Sequence, residues 1–341
     1  MELNYAHYNL IFKEPAITSR STMLCKETFF LKYIPQGDDT GALVGEVPLF
    51  RGLSAEDDAG FEQRLKQFCA GDVATSLPVD SSVAFAVESI RHQMERLRNP
   101  VTEQVRIPIN GLVWMGDKRT MFNRIRTKLD AGFRCVKLKI GGIDFADELD
   151  LIKYIRGQFS PSDLELRLDA NGAFNPDSAL ERLKWLSDHH IHSIEQPIRQ
   201  GQWERMRELT EKSPIPIALD EELIGPWCCR SDEAMAALLD AVAPHYIILK
   251  PSLCGGFDAA DRWIAAATKR GIGWWATSAL ESNIGLTAIT LWLSRHNPVI
   301  PQGLGTGSLY TNNFESALHM EADELVYDPW ENVSAPELEW K

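Results

Sequence analysis

The sequence predicts an α/β barrel, a modified TIM barrel of (β/α)7β build, behind an N-terminal α+β capping domain. Three observations predict it. From about residue 106, apolar strand-like runs alternate with helical patterns. Charged residues close those runs at a near-constant interval: 30 residues from Lys139 to Asp169, 26 to Glu195, 25 to Asp220 and 30 to Lys250. A barrel of roughly 250 residues in eight units uses about 31 residues for each strand and helix. The first hundred residues lack this rhythm and read as strands followed by helices.

In order, 4–12 and 28–34 read as strands of a hairpin or meander, joined by a Ser- and Thr-rich segment, Thr18 to Thr22. A short strand follows at 41–47, then helices at 57–71 and 81–98. In the second helix Val83, Val87, Ile90, Met94 and Leu97 recur at helical spacing. Pro78 precedes it and Asn99-Pro100 ends it. The first barrel strand is expected over 107–115 and its helix over 117–131. Further strands are expected at 135–140, 164–169, 191–195, 216–220, 245–250, 273–278 and 299–304. Helices are expected at 145–158, 176–189, 202–212, 231–240, 256–270 and 283–296. No helix follows the eighth strand, and the tail with Pro329 and Pro336 is expected to return to the N-terminal module. The expected division is 1–103, 104–308 and 309–341.

The chain has 341 residues, a formal charge of −13, and hydrophobic and charged fractions of 44% and 24%, ordinary for a soluble globular protein. The negative charge disfavours nucleic acid and anionic membranes as partners. No run of about 18 apolar residues occurs, and no basic stretch leading into an apolar core opens the chain. A cytoplasmic location is expected. The six cysteines lack the spacing of a zinc site and read as reduced thiols. A monomer and a homo-oligomer both fit.

Charged groups at the C-terminal strand ends of a barrel converge on one mouth. Asp169, Glu195 and Asp220 supply oxygen donors there without His or Cys, which fits Mg²⁺, with Mn²⁺ as a substitute, better than zinc. The competing reading is that each carboxylate caps a helix. Lys137 and Lys139 alternate on one strand and point together into the barrel. Each is expected to have a lowered pKa, from its like-charged neighbour and the cation, which suits a general base. Lys250 is read as inward, between Ile247-Ile248-Leu249 and Pro251. Gly255, Gly256, Gly303, Gly305 and Gly307 lie in loops where a backbone can approach an anionic ligand group closely. Ser278 offers a hydroxyl at the end of the strand at 273–278. Candidate substrate contacts are Asn171, Ser278, Gly303 and Ser21. His189, His190 and His192 straddle a helix–strand junction at the far end of the barrel and read as structural.

This constellation resembles the enolase superfamily, and within it the muconate-lactonizing-enzyme subgroup. The similarity rests on Lys-x-Lys at 137–139, acids on the next three strands and Lys250 on the next. Thr277 to Ser282 with Gly285-Leu286, and Gly303 to Thr306, resemble the corresponding segments of the o-succinylbenzoate synthases. The resemblance implies Mg²⁺ held by Asp169, Glu195 and Asp220, Lys139 as the base and Lys250 as a cation over the intermediate. Lys137 joins them as the third catalytic lysine. It implies syn dehydration of a succinyl-hydroxycyclohexadiene carboxylate, through an enediolate, in menaquinone biosynthesis. The partner is then a small carboxylate. Thr277-Ser278 replaces the His of the mandelate-racemase-like groups, and the stretch from Gly303 to Gly307 lacks the Asp-x-Asp usual in dipeptide epimerases. Two alternatives stay open: a racemase or epimerase of N-acylated amino acids or dipeptides, and a non-catalytic binding barrel.

Overall fold

The computed structural model describes residues 2–17, 22–35, 41–71, 80–225 and 231–341. The chain opens with a long hairpin, β1 (Glu2–Ile17) and β2 (Thr22–Ile34), followed by β3 (Leu43–Val47). The three form an antiparallel sheet in the order β1-β2-β3. A register shift between Ile11 and Ala16 lets the hairpin run beyond its expected ends. Helices α1 (Phe61–Ala70) and α2 (Ser81–Arg98) pack on this sheet. Phe29, Leu31, Val47 and Leu49 meet Phe61, Leu65, Val83 and Ile90 in one core. The first helix begins later than the expected residue 57. Ser54, Asp57 and Asp58 accept hydrogen bonds from the backbone N–H groups of Phe50, Gly52 and Gly60, so the segment turns instead.

The barrel follows. After β4 (Val105–Pro108), its strands are β5 (Gly111–Val113), β6 (Cys135–Lys139), β7 (Glu165–Asp169), β8 (Ser193–Glu195), β9 (Ile217–Leu219), β10 (Tyr246–Leu249) and β11 (Gly273–Ala276). Its helices are α3 (Lys118–Asp130), α4 (Phe145–Gln158), α5 (Pro176–Ser187), α6 (Trp203–Lys212), α7 (Asp232–Val242), α8 (Phe257–Thr268) and α9 (Asn283–Leu293). Strands β5 to β11 form one parallel sheet in chain order. Helix starts carry their chemistry in the sequence. Asp117 accepts from Thr120 N–H, Asp144 from Ala146 N–H, and Asn175 from Asp177 N–H with Pro176 in the first turn. Alternate strand residues such as Val136 and Leu138 face outward against Ile125, Ile152 and Ile155 in the main core. Each such side chain contributes about 1.5–3 kcal/mol by burial.

Two expected strands differ. The run 107–115 divides: β5 joins the barrel, while β4 pairs antiparallel with β13 of a tail hairpin, β12 (Leu318–Glu321) and β13 (Glu324–Tyr327). Pro108 donates no ladder hydrogen bond, and the chain changes sheet just after it. The strand expected at 299–304 narrows to single bridges, Ile109 with Gln302 and Thr277 with Gly303. Pro298 and Pro301 remove donors on either side of Val299 and Ile300. The bridges still join β11 to the segment before β5. Backbone hydrogen bonds link tail residues to β1: Lys13 N–H donates to Leu309 O, and Tyr5 and Lys341 exchange backbone hydrogen bonds. Among the described residues no helix is long and apolar enough to cross a membrane.

Candidate active site

The ladder aligns the charged strand ends. Lys139 pairs with Asp169 and Asp169 with Glu195, one row across β6, β7 and β8. Asp220 follows β9 and Lys250 follows β10. The six side chains meet as the alternation predicts. Lys137 Nζ touches Asp169 at 3.0 Å and donates to Glu195 in a very short contact. Lys139 Nζ donates to Asp169 at 2.9 Å and to Asn171 at 2.6 Å. Lys250 donates to Asp220. All three carboxylates and both β6 lysines are buried. None of the carboxylates caps a helix: Asn175 caps α5, Gln202 precedes α6, and Asp220 makes no side-chain cap bond to the 3-10 turn Glu221–Leu223.

The electrostatics of Lys137 differ from expectation. Burial alone would lower the Lys137 pKa, but the fields of Asp169, Glu195 and Asp220 outweigh it and raise it. Lys250 is raised against its own burial by Asp220, Glu221 and Glu195. The expectation counted the like charge and the cation but not three carboxylates at contact distance. Asp169 is held well below the usual range: burial pushes it up, and Lys137 and Lys139 pull it down further. Glu195 is pushed up by burial and by Asp169 beside it.

Among the described residues, no three His, Cys, Asp or Glu side chains converge closely enough to hold a metal ion as they lie, because lysine ammoniums stand between the carboxylates. The donor set nevertheless fits a hard cation. Glu195 Oε1 and Asp220 Oδ1 are buried without a hydrogen-bond partner. An unsatisfied buried group costs about 1–3 kcal/mol or more when charged. Oxygen donors of that charge on neighbouring strand ends suit Mg²⁺.

Lys137, Lys139, Asp169, Glu195 and Lys250 open into a cavity of about 320 Å³. Asn171, Ser278 and Gly303 line it; Ser21 lies outside the described residues. Asn171 has a left-handed backbone, φ 45°, and its side chain bridges Lys139 and Glu221. The Ser278 hydroxyl is engaged: it donates to Glu281 at 2.6 Å and accepts from Leu280 N–H at 3.0 Å. Gly303 approaches Thr277 so closely that a Cβ would lie 2.2 Å from Oγ1. The histidines stay outside this site: His192 stacks near Tyr246 and hydrogen-bonds Ser193 at the other end of β8.

Sequence reasoning missed the walls. Met23, Phe50, Trp114 and Leu280 give the cavity an apolar side, and Glu221 a further carboxylate. Lys139 Nζ lies 5.5 Å from the Trp114 ring centroid. Trp114 directly follows β5, the same strand-end position as the charged residues. That placement was the available signal.

The family described as enolase C-terminal domain-like matches residues 120–321. An o-succinylbenzoate synthase of Desulfotalea psychrophila is 44% identical over 95% of this chain and 98% of its own. The crystal structure of MenC from Desulfotalea psychrophila superposes with a TM-score of 0.78 at 40% identity, over 95% of this chain and 99% of that one. The L-Ala-D/L-Glu epimerase of Bacillus subtilis superposes with a TM-score of 0.80 at 19% identity, over 96% and 97%, a likeness of fold alone. A capped barrel with lysines and carboxylates at its strand ends, matched by these relatives, belongs to the enolase C-terminal domain-like family.

Proposed function

We propose that this chain is an o-succinylbenzoate synthase, a lyase that removes water from a succinyl-hydroxycyclohexadiene carboxylate. The observation that carries the reading is 44% identity to such an enzyme over nearly both whole chains. The lysine and carboxylate row at one barrel mouth supports it. Superfamily members generally use Mg²⁺. Asp169, Glu195 and Asp220 would hold it, and a bound Mg²⁺ supplies a Lewis acid to the substrate carboxylate.

Lys139 takes the proton next to that carboxylate and later gives one to the departing hydroxide on the same face. Asn171 and Asp169, both bonded to its Nζ, fix its direction. Lys250 stays protonated and offers a fixed positive charge to the ring as negative charge spreads into it. Lys137 braces Asp169 and Glu195. Trp114, Phe50 and Met23 keep water from the ring. Asn171, Ser278, Gly303 and Ser21 are the proposed substrate contacts.

The test is purified protein with Mg²⁺ and the cyclohexadiene carboxylate, followed by formation of the aromatic product. Turnover is expected. No dehydration, together with α-deuterium exchange on N-acylated amino acids or dipeptides, would establish the racemase reading instead.

A further inference from the structure

Leu280 has a backbone φ of 65°, the left-handed region that a branched side chain rarely enters. Such a conformation persists only where its surroundings impose it, and it gathers at ligand clamps and active sites. The surroundings here come from three parts of the chain. Leu280 N–H donates to Ser278 Oγ. Its carbonyl accepts from Lys26 Nζ at 2.9 Å and from Tyr310 Oη at 2.7 Å. Lys26 belongs to β2 of the N-terminal sheet and Tyr310 to the tail. Both are buried.

A satisfied network surrounds the grip. Glu46 of β3 is fully buried and accepts from Thr28 Oγ1, from the N–H and hydroxyl of Ser282, and from Gly285 N–H. It thereby holds the start of α9 from outside the barrel. Glu281 accepts from the Ser252 and Ser278 hydroxyls. Burial lowers the Lys26 pKa, while Glu281 and Glu46 act to raise it. The Leu280 side chain faces the cavity beside Met23 and Phe50, and Lys26 Nζ lies 5.9 Å from the Phe50 ring centroid. Lys26 itself does not line the cavity.

We propose that Lys26 is a positioning residue that holds the left-handed turn at Leu280 and so places the apolar wall against which the substrate packs. The proposal rests on the function given above. A buried ammonium is an expensive way to hold one carbonyl, and this one crosses from the N-terminal sheet to the loop after β11. The body of the substrate remote from its reacting carboxylate meets Leu280, whereas the six groups at the strand ends meet the reacting atoms. Loss of Lys26 therefore weakens binding of ground and transition states alike, which raises KM and leaves kcat.

The experiment is steady-state kinetics of Lys26→Met, Lys26→Arg, Tyr310→Phe and Leu280→Gly, with Lys26→Met also made in the Leu280→Gly background. Turnover by the wild type tests the function itself; the ratios among variants test Lys26. Lys26→Met is expected to raise KM about tenfold, with kcat within about twofold, and Lys26→Arg to recover part of it. Tyr310→Phe removes the second donor and is expected to move KM the same way by a smaller factor. In the Leu280→Gly background Lys26→Met should add under about twofold, because the wall it places is gone. Equal KM effects of Lys26→Met in both backgrounds, or a loss confined to kcat, overturns the proposal. If Lys26→Met does not fold, Tyr310→Phe with and without Leu280→Gly decides by the same criterion.

Discussion

Two clusters of buried charge, one lining the cavity and one behind its Leu280 wall, differ in one respect. At the strand ends, Asp169, Glu195, Asp220 and three lysines leave Glu195 Oε1 and Asp220 Oδ1 without partners. At the junction of the N-terminal sheet with the loop after β11, Glu46 and Glu281 have hydrogen bonds to both oxygens of each carboxylate. A satisfied buried network fixes one structure, while a partly satisfied one is costly unless something else completes it. The difference separates a site from a brace. Variants in the first cluster should lose activity and keep the fold. Variants at the braces should lose stability or substrate affinity and keep the chemistry.

The largest expected effect is metal removal. Exhaustive chelation should abolish dehydration, and Mg²⁺ or Mn²⁺ should restore it, because the open carboxylate oxygens suit a hard divalent ion. Full turnover with no metal detectable by elemental analysis would remove the distinction between the clusters. Next is Lys139→Ala, which should lower kcat by ~10²–10⁴-fold, the usual contribution of an acid–base group. Its melting temperature and its Mg²⁺ affinity by calorimetry should change little. A variant that keeps a tenth of wild-type activity would show that Lys139 is not the base.

Lys250 sharpens the assignment within the first cluster. If it acts as a fixed charge, Lys250→Arg should retain about tenfold more activity than Lys250→Ala, since arginine keeps the charge but cannot serve as a base. A racemase would use Lys250 to carry a proton, and both variants would then lose one direction of exchange equally. Assays of dehydration and of α-deuterium exchange on the same preparations separate the two outcomes.

The first cluster was legible in the sequence and the second was not. Strand alternation and the repeat of about 30 residues place Lys137, Lys139, Asp169, Glu195, Asp220 and Lys250 together whatever the loops do. Glu46, Lys26 and Glu281 carry no such period. Their partners lie 236 residues away for Glu46 and Ser282 and 254 for Lys26 and Leu280. The apolar walls were invisible for another reason: Met23, Phe50 and Leu280 are of the same types as core residues, and only the fold aims them at a cavity. The eighth strand was overdrawn because Val299 and Ile300 look like strand residues, while the flanking prolines limit what they can pair with. The direction of the Lys137 shift needed distances that no spacing supplies.

A second brace gives the smallest effect and the one most specific to pH. Glu88 of α2 accepts from the backbone N–H groups of Phe257 and Asp258, the first turn of α8. A Cβ on Gly256 would lie 2.4 Å from its Oε2, so the glycine is what admits it. Burial, and then the charge of Asp258, push the Glu88 carboxyl up from 4.5 to about 7, while the Asp258 and Phe257 N–H groups and then Arg91 pull the other way. A carboxyl whose pKa is raised on folding binds its proton more tightly in the native state. Its contribution is therefore full below the unfolded value of 4.5 and is lost as pH rises through about 7. Each pH unit of that window is worth at most about 1.4 kcal/mol, and partial exposure reduces it, so roughly 1–3 kcal/mol is expected in all. Urea midpoints at pH 5 and pH 8 should fall further in the wild type than in Glu88→Gln, which cannot titrate. Activity per folded molecule should be the same in both proteins at either pH, because Glu88 touches a helix start and no cavity residue. Parallel stability profiles would mean that Glu88 is ionised throughout and braces α8 as a plain charged cap. A change in kcat with the profile intact would instead place this brace in the chemistry and break the division between the two kinds of buried charge.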